Sequence, residues 1–264
     1  MKLAAIGSNC VDYYLNLEGG KGFPGGGPVN MAVYTVRIGG QATYFGPVGN
    51  DKNGQLMLRK LEEKSVDISH ITVKEGKTAI TEVELKDNER IFGDYHEGVM
   101  KDYSLSADDL EKILQYDVVV ADLWGHSEGY LKKLKQKGML TAFDCADDPD
   151  HINSTKAIPY SDILFFSVEK NNIKRTRSKM EEMQQKGPKL VIAMLGEQGS
   201  LCYDGEQFYS FGIVPCEKVV DTMGAGDSYI AGFLKGYLET KNIKKAMQLG
   251  AETATETISY FGAW

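Results

Sequence analysis

The segment DTMGAGDS, residues 221–228, says most about the fold of this chain. Asp227 directly follows Gly224-Ala225-Gly226 and begins an apolar-periodic run that predicts a buried helix. Glycines let the backbone turn tightly and approach a ligand, and the first N–H groups and positive dipole end of a helix attract anions. The segment therefore predicts a phosphate-binding turn beside a carboxylate that could accept a proton. The apolar run consists of Tyr229, Ile230, Phe233, Leu234, Tyr237 and Leu238.

Before this segment, apolar β-type runs alternate with helical patterns over most of the chain. The alternation predicts an α/β fold with three layers, in which helices cover both faces of a mainly parallel sheet. A proline in the first turn and glycines after the last turn indicate one helix from Pro28 to Ile38. Ser106 and Asp109 form a capping box that indicates another helix, running to Tyr116. The predicted core strands are residues 3–6, 42–45, 118–121, 140–143, 163–166 and 190–194.

Residues 78–95 interrupt this alternation. Their sequence, TAITEVELKDNERIFGDY, has two β-rich runs around a Lys-Asp-Asn-Glu turn, which predicts a hairpin. The hairpin could project from the main sheet as a lid, or it could pair along the edge of that sheet. A second, shorter hairpin is predicted from residues 201–203 and 207–211, around Asp204-Gly205-Glu206.

Composition restricts the class of protein. The 264 residues, 42% of them hydrophobic, are enough for one large α/β domain or two smaller ones. A net charge of −7 argues against general binding to nucleic acid or anionic membranes, so small-molecule partners are expected. The four cysteines are far apart and contain no C-x-x-C pair, which indicates a reducing compartment. Because the first apolar run is too short for a signal peptide, we expect a cytoplasmic protein.

Glycine-bearing clusters occur at 25–27, 195–200 and 224–226. No G-x-x-x-x-G-K-[ST] motif is present, and no G-x-G-x-x-G motif follows the first strand. Each cluster alone is explained by an ordinary turn. Their joint occurrence with Asp227 favours a nucleotide site of another type.

Several features, in their order along the chain, resemble the ribokinase-like (PfkB) sugar kinases. They are Asp12, Gly25-Gly26-Gly27 with Asn30, Gly46-Pro47-Val48-Gly49 with Asp51, the 195–200 turn and DTMGAGDS. The resemblance covers nearly the whole length, and DTMGAGDS is its most specific part. Other stretches resemble the fructoselysine 6-kinase branch of that family, which phosphorylates an Amadori product. These are NERIFGDYHEGVM (88–100), LWGHSE (123–128), LTAFDCAD (140–147) and YFGAW (260–264).

The resemblance implies that Asp227 is the catalytic base, which takes the proton from a primary hydroxyl of the sugar. The helix dipole would hold this carboxylate ionised until it accepts the proton late in phosphoryl transfer. The N–H groups of Gly224, Ala225 and Gly226 would stabilise charge on the transferring phosphate. The alternative for Asp227 is a helix N-cap, a position that aspartate favours without any catalysis.

The resemblance also implies that Asp12, Gly26, Gly27 and Asn30 bind the sugar. Asp12 leaves the end of the first predicted strand, where ligands of open α/β sheets bind. A carboxylate accepts two hydroxyl donors, and an amide both donates and accepts. Bare backbone at Gly26 and Gly27 lets a polyol approach closely. A capping or turn role is the alternative for Asp12 and for Asn30.

An Amadori compound carries a secondary amine that is cationic near neutral pH, so a nearby acid would select it over plain fructose. We expect Asp94 to bind this substrate, with Glu97 as a second candidate. Trp124 and His126 would form an aromatic and polar wall. Ordinary packing or solvation is the alternative for each of the four.

Nucleotide binding is implied for Gly196, Glu197 and Gly199. The resemblance implies ATP as phosphate donor, with Mg²⁺ bridging its phosphates. Glu169 is the candidate for a magnesium-linked residue. Asp221 is the candidate for a monovalent-cation site, for example for K⁺, with a turn role as the alternative.

The leading hypothesis is an ATP-dependent kinase acting on the 6-hydroxyl of fructoselysine or a related fructosamine. It would be a single domain, 1–264, with lid segments near 11–23 and 76–97. The alternatives are a PfkB-family kinase of another sugar or nucleoside, and a catalytically silent sugar-binding protein. The intact DTMGAGDS segment disfavours the silent binder. A homodimer through the lids is expected, because a partner could cover the exposed hairpin edges.

Overall fold

The computed structural model describes residues 1–17, 20–86, 89–168 and 172–264. Its strands are β1 (Lys2–Ile6), β2 (Cys10–Tyr14), β3 (Lys21–Gly25), β4 (Gln41–Gly49), β5 (Ile71–Lys74), β6 (Ile80–Lys86), β7 (Glu89–His96), β8 (Val118–Asp122), β9 (Thr141–Asp144), β10 (Ile163–Ser167), β11 (Leu190–Met194), β12 (Ser200–Tyr203) and β13 (Phe208–Phe211). Its α-helices are α1 (Gly27–Arg37), α2 (Lys52–Glu63), α3 (Ala107–Ile113), α4 (Glu128–Gln136), α5 (Ile152–Ala157), α6 (Ile173–Gln184), α7 (Ala225–Thr240) and α8 (Ile243–Thr257).

The central layer is a nine-stranded sheet with the order β13-β12-β11-β10-β9-β8-β1-β4-β5. The strands from β11 to β5 pair in parallel, and β12 and β13 add an antiparallel edge. The six predicted core strands correspond to consecutive positions from β11 to β4. The predicted three-layer α/β fold is therefore confirmed.

Alternating side chains of the central strands face two different cores. Leu3 and Ala5 of β1 pack in the core covered by α1, α2, α7 and α8. Ala4 and Ile6 of the same strand pack in the core covered by α3, α4, α5 and α6. Because successive residues of a strand point to opposite faces, a strand covered on both sides needs a continuous apolar run. This requirement made the central strands predictable.

A separate four-stranded sheet, with the order β3-β2-β6-β7, lies outside the main sheet. β6 and β7 are antiparallel, as are β2 and β3, whereas β2 and β6 are parallel. The hairpin predicted at 78–95 is therefore confirmed, and it does not pair with the edge of the main sheet. Strands β2 and β3 were not predicted, because they are short and β3 contains both glycine and proline.

Helix ends follow their local sequence signals. α1 begins at Gly27 with Pro28 in its first turn, and α3 begins with the Ser106–Asp109 capping box. α3 ends at Ile113, before the predicted Tyr116. In the part of the chain that the structure describes, every helix is too short or too polar to span a membrane.

Candidate active site

The candidate active site lies where the parallel strands of the nine-stranded sheet end. β8 ends at Asp122, β9 at Asp144 and β11 at Met194, all on the same edge. The start of α7 lies over this edge, since a methyl group added to Gly226 would be 3.7 Å from the Met194 Cε atom. Open α/β sheets bind their ligands at such an edge.

The Gly224–Asp227 turn forms the N-terminus of α7. Gly224 is the N-cap residue with φ 75°, a left-handed conformation that favours glycine, and the helix begins at Ala225. The Ser228 N–H donates to the Gly224 carbonyl oxygen at 2.9 Å, so the earlier N–H groups precede the helical ladder. The Ala225 N–H donates to the Thr222 carbonyl oxygen at 3.2 Å. Of the three expected phosphate donors, Ala225 is therefore already engaged.

Asp227 is the third residue of α7 and is not its N-cap. Its Oδ2 atom accepts a hydrogen bond from Asn30 Nδ2 at 2.7 Å. Burial raises the pKa of Asp227 to about 7, although the Asn30 hydrogen bond opposes this rise. The negative charges of Asp122 and Asp12 also raise it. The expectation that the helix dipole holds this carboxylate ionised took no account of its burial beside other carboxylates, which acts in the opposite direction.

Gly26 and Gly27 bring backbone close to these acids. A methyl group on Gly26, whose φ is 104°, would be 2.6 Å from the Asn9 Cα atom. A methyl group on Gly27 would be 3.3 Å from Asp122 Oδ2 and 3.5 Å from Asp227 Oδ1. The bare Gly27 backbone therefore leaves open the space between the two carboxylates.

Asn30 lies on α1 with 4% of its surface exposed. Its Nδ2 atom donates to Asp227, and its Oδ1 atom accepts a hydrogen bond from Trp264 Nε1 at 2.7 Å. Both ends of the amide are thus held by protein groups, one of them the expected base.

Asp12 lies within β2, not at the end of the first strand as expected. Its side chain is buried, and a methyl group on Gly25 would be 3.2 Å from its Oδ2 atom. Asp12 pairs with Thr81 across the small sheet, and Thr81 pairs with Tyr95. Paired residues share a face, so these three side chains lie on one side of the sheet. Burial, followed by the charges of Cys10 and Asp122, raises the pKa of the Tyr95 hydroxyl, which places that face at the acidic edge.

Asp94 is exposed. The pairing of β7 with β6 is irregular beside it, where the register shifts between Thr81 and Val83. This irregularity interrupts the alternation of side chains, so the strand pairing does not assign Asp94 to the face that carries Asp12. Glu97 does have a partner near the site, because its Oε1 atom is hydrogen-bonded to His126 Nε2.

Trp124 follows two residues after Asp122 and is 53% exposed. Its ring lies 6.0 Å from that of His151, centroid to centroid. The predicted wall is thus divided between a Glu97–His126 pair and a Trp124–His151 pair.

The predicted nucleotide turn directly follows β11. A one-turn helix covers Gly196–Gln198, and Gly196 and Gly199 both have positive φ, 56° and 82°. The Leu195 N–H donates to the Gly199 carbonyl oxygen at 2.8 Å and closes the turn. Glu197 is exposed at its surface.

Of the two metal candidates, Glu169 lies outside the described residues. Asp221 is buried, and its Oδ1 atom accepts the Met223 N–H at 3.0 Å. Its Oδ2 atom accepts the Gly262 N–H at 2.7 Å. Asp221 therefore joins the start of the phosphate turn to the 260–264 segment.

Comparison with known proteins identifies the family. The model of the pfkB family carbohydrate kinases matches residues 2–264. The chain belongs to this family. As a pfkB carbohydrate kinase it is an ATP-dependent enzyme that phosphorylates a sugar. It is 45% identical over 262 residues to fructoselysine 6-kinase of Escherichia coli (strain K12), which covers 99% of each chain.

Two further relatives support the same conclusion at greater distance. Fructosamine kinase FrlD of Bacillus subtilis (strain 168) is 30% identical over 269 residues, covering 100% of this chain and 93% of that protein. The structure of Arabidopsis thaliana ribokinase complexed with ribose and ATP is similar with a TM-score of 0.90 at 22% identity. It covers 99% of this chain and 93% of that one, and it confirms the ribokinase-like fold.

Sequence reasoning missed Asp122 and Asp144 as members of this site in the pfkB kinase. Asp122 accepts the Ser8 N–H at 3.2 Å and the Ser8 hydroxyl, and burial raises its pKa to about 6. Burial and the charge of Asp227 raise the pKa of Asp144. A signal was present, because each aspartate ends an apolar strand in VVVAD (118–122) and TAFD (141–144). The carboxyl ends of parallel strands meet at one edge, so both acids could have been placed there.

Proposed function

We propose that this kinase transfers the γ-phosphate of ATP to the 6-hydroxyl of fructoselysine or a closely related fructosamine. The name of the 45% identical relative supports the substrate class. The observation that carries the reaction is the position of Asp227, at the first turn of α7 and beside the open backbone of Gly27. A sugar hydroxyl between them would lie next to a base and a phosphate-binding helix end.

Asp227 acts as the general base in this proposal. A base works best when its pKa is close to the working pH, and the pKa of Asp227 is raised to about 7. Its carboxylate accepts the hydroxyl proton, the hydroxyl oxygen bonds to the γ-phosphorus, and the bond from that phosphorus to the ADP oxygen breaks. The Asn30 hydrogen bond holds the carboxylate in place.

The phosphate would lie against the turn of Gly224, Ala225 and Gly226, with the free N–H groups of α7 as donors. Gly196, Glu197 and Gly199 are proposed to bind the nucleotide. Two observations support this arrangement. A methyl group added to Gly226 would contact the Met194 side chain, and Met194 ends β11 just before the 195–200 turn.

Mg²⁺ fits this donor set, because it binds one or two carboxylates and otherwise keeps water and phosphate oxygens. No three His, Cys, Asp or Glu side chains of the described ranges form a complete metal cage. When bound, Mg²⁺ neutralises charge on the phosphates. Glu169 is proposed as its water-linked partner and Asp221 as part of a monovalent-cation site.

Asp12, Gly26, Gly27 and Asn30 are proposed to bind the sugar, with Asp12 accepting hydroxyl donors. The proposal for Asp94 has less support from geometry than the one for Glu97.

The small sheet is proposed as a lid within the single domain 1–264, formed by the segments near 11–23 and 76–97. β3 and β7 are its edge strands. A second copy of the chain could pair with such an edge, which supports a homodimer. Sedimentation as a monomer at all protein concentrations would remove that part of the proposal.

A coupled assay of ADP release with ATP and Mg²⁺ tests the substrate class. The panel is fructoselysine, other fructosamines, fructose and ribose. We expect the highest kcat/KM for a fructosamine. Preference for an unmodified sugar would contradict the substrate assignment alone, whereas no turnover on any sugar would contradict the reaction.

Replacement of Asp227 by Asn tests the base in the same assay. The amide keeps the size of the side chain but cannot accept the proton, so we expect kcat to fall by about 10²–10⁴. Binding of ATP, measured by calorimetry, should change little. A normal kcat would show that the base lies elsewhere.

A further inference from the structure

The 260–264 segment, YFGAW, packs on the start of α7. A methyl group on Gly224 would be 3.2 Å from the Ala263 Cβ atom, and the Tyr34 hydroxyl donates to the Ala263 carbonyl oxygen. The Gly262 N–H is hydrogen-bonded to Asp221. These contacts fix the segment against the phosphate turn from two sides, so the direction of the Trp264 side chain is also fixed.

The Trp264 indole reaches the base through one intermediate. Its Nε1–H donates to Asn30 Oδ1 at 2.7 Å, and Asn30 Nδ2 donates to Asp227 Oδ2 at 2.7 Å. Trp264 is 234 residues from Asn30 in the sequence, so only the fold brings them together.

The chemistry of the indole decides the orientation of the amide. An indole nitrogen is a donor only, so the Asn30 atom that faces it has to be the oxygen. The NH₂ group then necessarily faces Asp227. Without the indole N–H, the amide could turn over when Asp227 is protonated and accept a hydrogen bond from the carboxylic acid, which would stabilise the protonated form.

We propose that Trp264 is a positioning residue of this kinase, whose indole N–H orients the Asn30 amide as a hydrogen-bond donor to Asp227. The inference rests on the proposed role of Asp227 as base. Trp264 does not need to touch the substrate. Its effect is to keep Asp227 oriented and more easily ionised, because a hydrogen bond to the charged carboxylate favours that form.

Trp264→Phe tests the inference, because it keeps an aromatic ring and removes only the donor. We expect the midpoint of the acid limb of the kcat–pH profile to move to a pH about one unit higher. A shift of this size corresponds to the loss of one hydrogen bond to a charged group. For a base with a pKa near 7, that shift lowers kcat about fivefold at pH 7 and less than about twofold at pH 9. The readout is kcat from pH 5.5 to pH 9.5 with saturating substrates.

Tyr260→Phe is the matched control. It removes a hydroxyl from the same segment, one whose partners are Arg37 and Tyr34 rather than Asn30. We expect its pH profile to match the unmodified kinase. If Trp264→Phe lowers kcat equally at pH 7 and pH 9, the residue is merely structural and the inference is overturned. An unchanged profile overturns it as well.

A double-mutant cycle tests whether Trp264 acts through Asn30. Asn30→Leu should move the midpoint of the acid limb to a higher pH by at least as much as Trp264→Phe does. The double variant should show no further shift. Additive shifts would contradict the inference. If Trp264→Phe does not fold, Asn30→Leu alone still tests the inference. An unchanged midpoint of the acid limb in that variant would show that Asn30 does not affect the ionisation of Asp227. Failure of the base assignment is recognised separately, by an active Asp227→Asn variant.

Discussion

The two sheets contribute different kinds of residue to the site. The nine-stranded sheet contributes Asp122 and Asp144 at the ends of buried strands, where burial raises their pKa. The four-stranded sheet contributes Asp12 from its inner strand β2 and Tyr95 from its edge strand β7. This difference suggests that the buried edge determines the phosphoryl transfer and the small sheet determines which sugar is accepted. Changes at the buried edge should therefore lower activity on every sugar, whereas changes at the small sheet should alter the preference between sugars.

Gly27→Ala tests the buried edge and should have the largest effect. The added methyl group would lie 3.3 Å from Asp122 Oδ2 and 3.5 Å from Asp227 Oδ1, in the space proposed for the reacting hydroxyl. We expect kcat/KM to fall about 100-fold, because displacement of a reacting group by about 1 Å has an effect of this size. The free energy of unfolding should change by less than about 1 kcal/mol, since alanine is favoured over glycine in a helix.

Gly129→Ala in α4 is the control for that variant. A methyl group there meets no atom within 4 Å, so activity should be unchanged. Steady-state kinetics and denaturant unfolding of both variants give the two comparisons. If Gly27→Ala keeps full activity, the space between the carboxylates does not hold the substrate.

Glu97→Gln tests the small sheet and its connection to His126. Loss of the negative charge should lower kcat/KM for fructoselysine about fivefold to tenfold while leaving fructose nearly unchanged, because only the fructosamine carries a cation. Competition between the two sugars in one reaction measures the ratio directly.

Asp94→Asn is the matched control for Glu97→Gln, because it removes the charge of an exposed acid three residues earlier in the chain. We expect the ratio of the two sugars to stay the same. The reverse result, a changed ratio only in Asp94→Asn, would restore Asp94 as the specificity residue and remove Glu97.

The main sheet and the Gly224–Asp227 turn could be predicted from sequence because their signals are local. Continuous apolar runs predicted the central strands, and Gly224 to Asp227 are adjacent in the chain. Asp122 and Asp144 were missed although each ends such a run. Because the carboxyl ends of parallel strands meet at one edge, that signal was sufficient to place both acids at the site.

The small sheet and the 260–264 segment depend on contacts between distant residues. β2 pairs with β6, and Trp264 bonds to Asn30, and neither contact has a local signal. The rise in the pKa of Asp227 was not predicted for the same reason. The dipole of α7 is evident from the sequence, but the burial of the carboxylate beside Asp122 and Asp12 depends on the fold.

Asp144→Asn should have the smallest effect, and it acts on stability. The pKa of Asp144 is raised above its unfolded value, so ionisation of this group lowers stability as the pH rises through the folded pKa. Asn keeps the oxygen that accepts the Ala146 N–H at 3.0 Å. The thermal midpoint of the variant should equal that of the unmodified kinase near pH 4 and exceed it at pH 9, where the unmodified side chain has to ionise in the buried site. Asp147→Asn, which removes an exposed charge that is the smallest of the causes of this rise, should show a much smaller gain. Equal thermal midpoints of Asp144→Asn and the unmodified kinase at pH 9 would show that ionisation of Asp144 does not destabilise the folded protein.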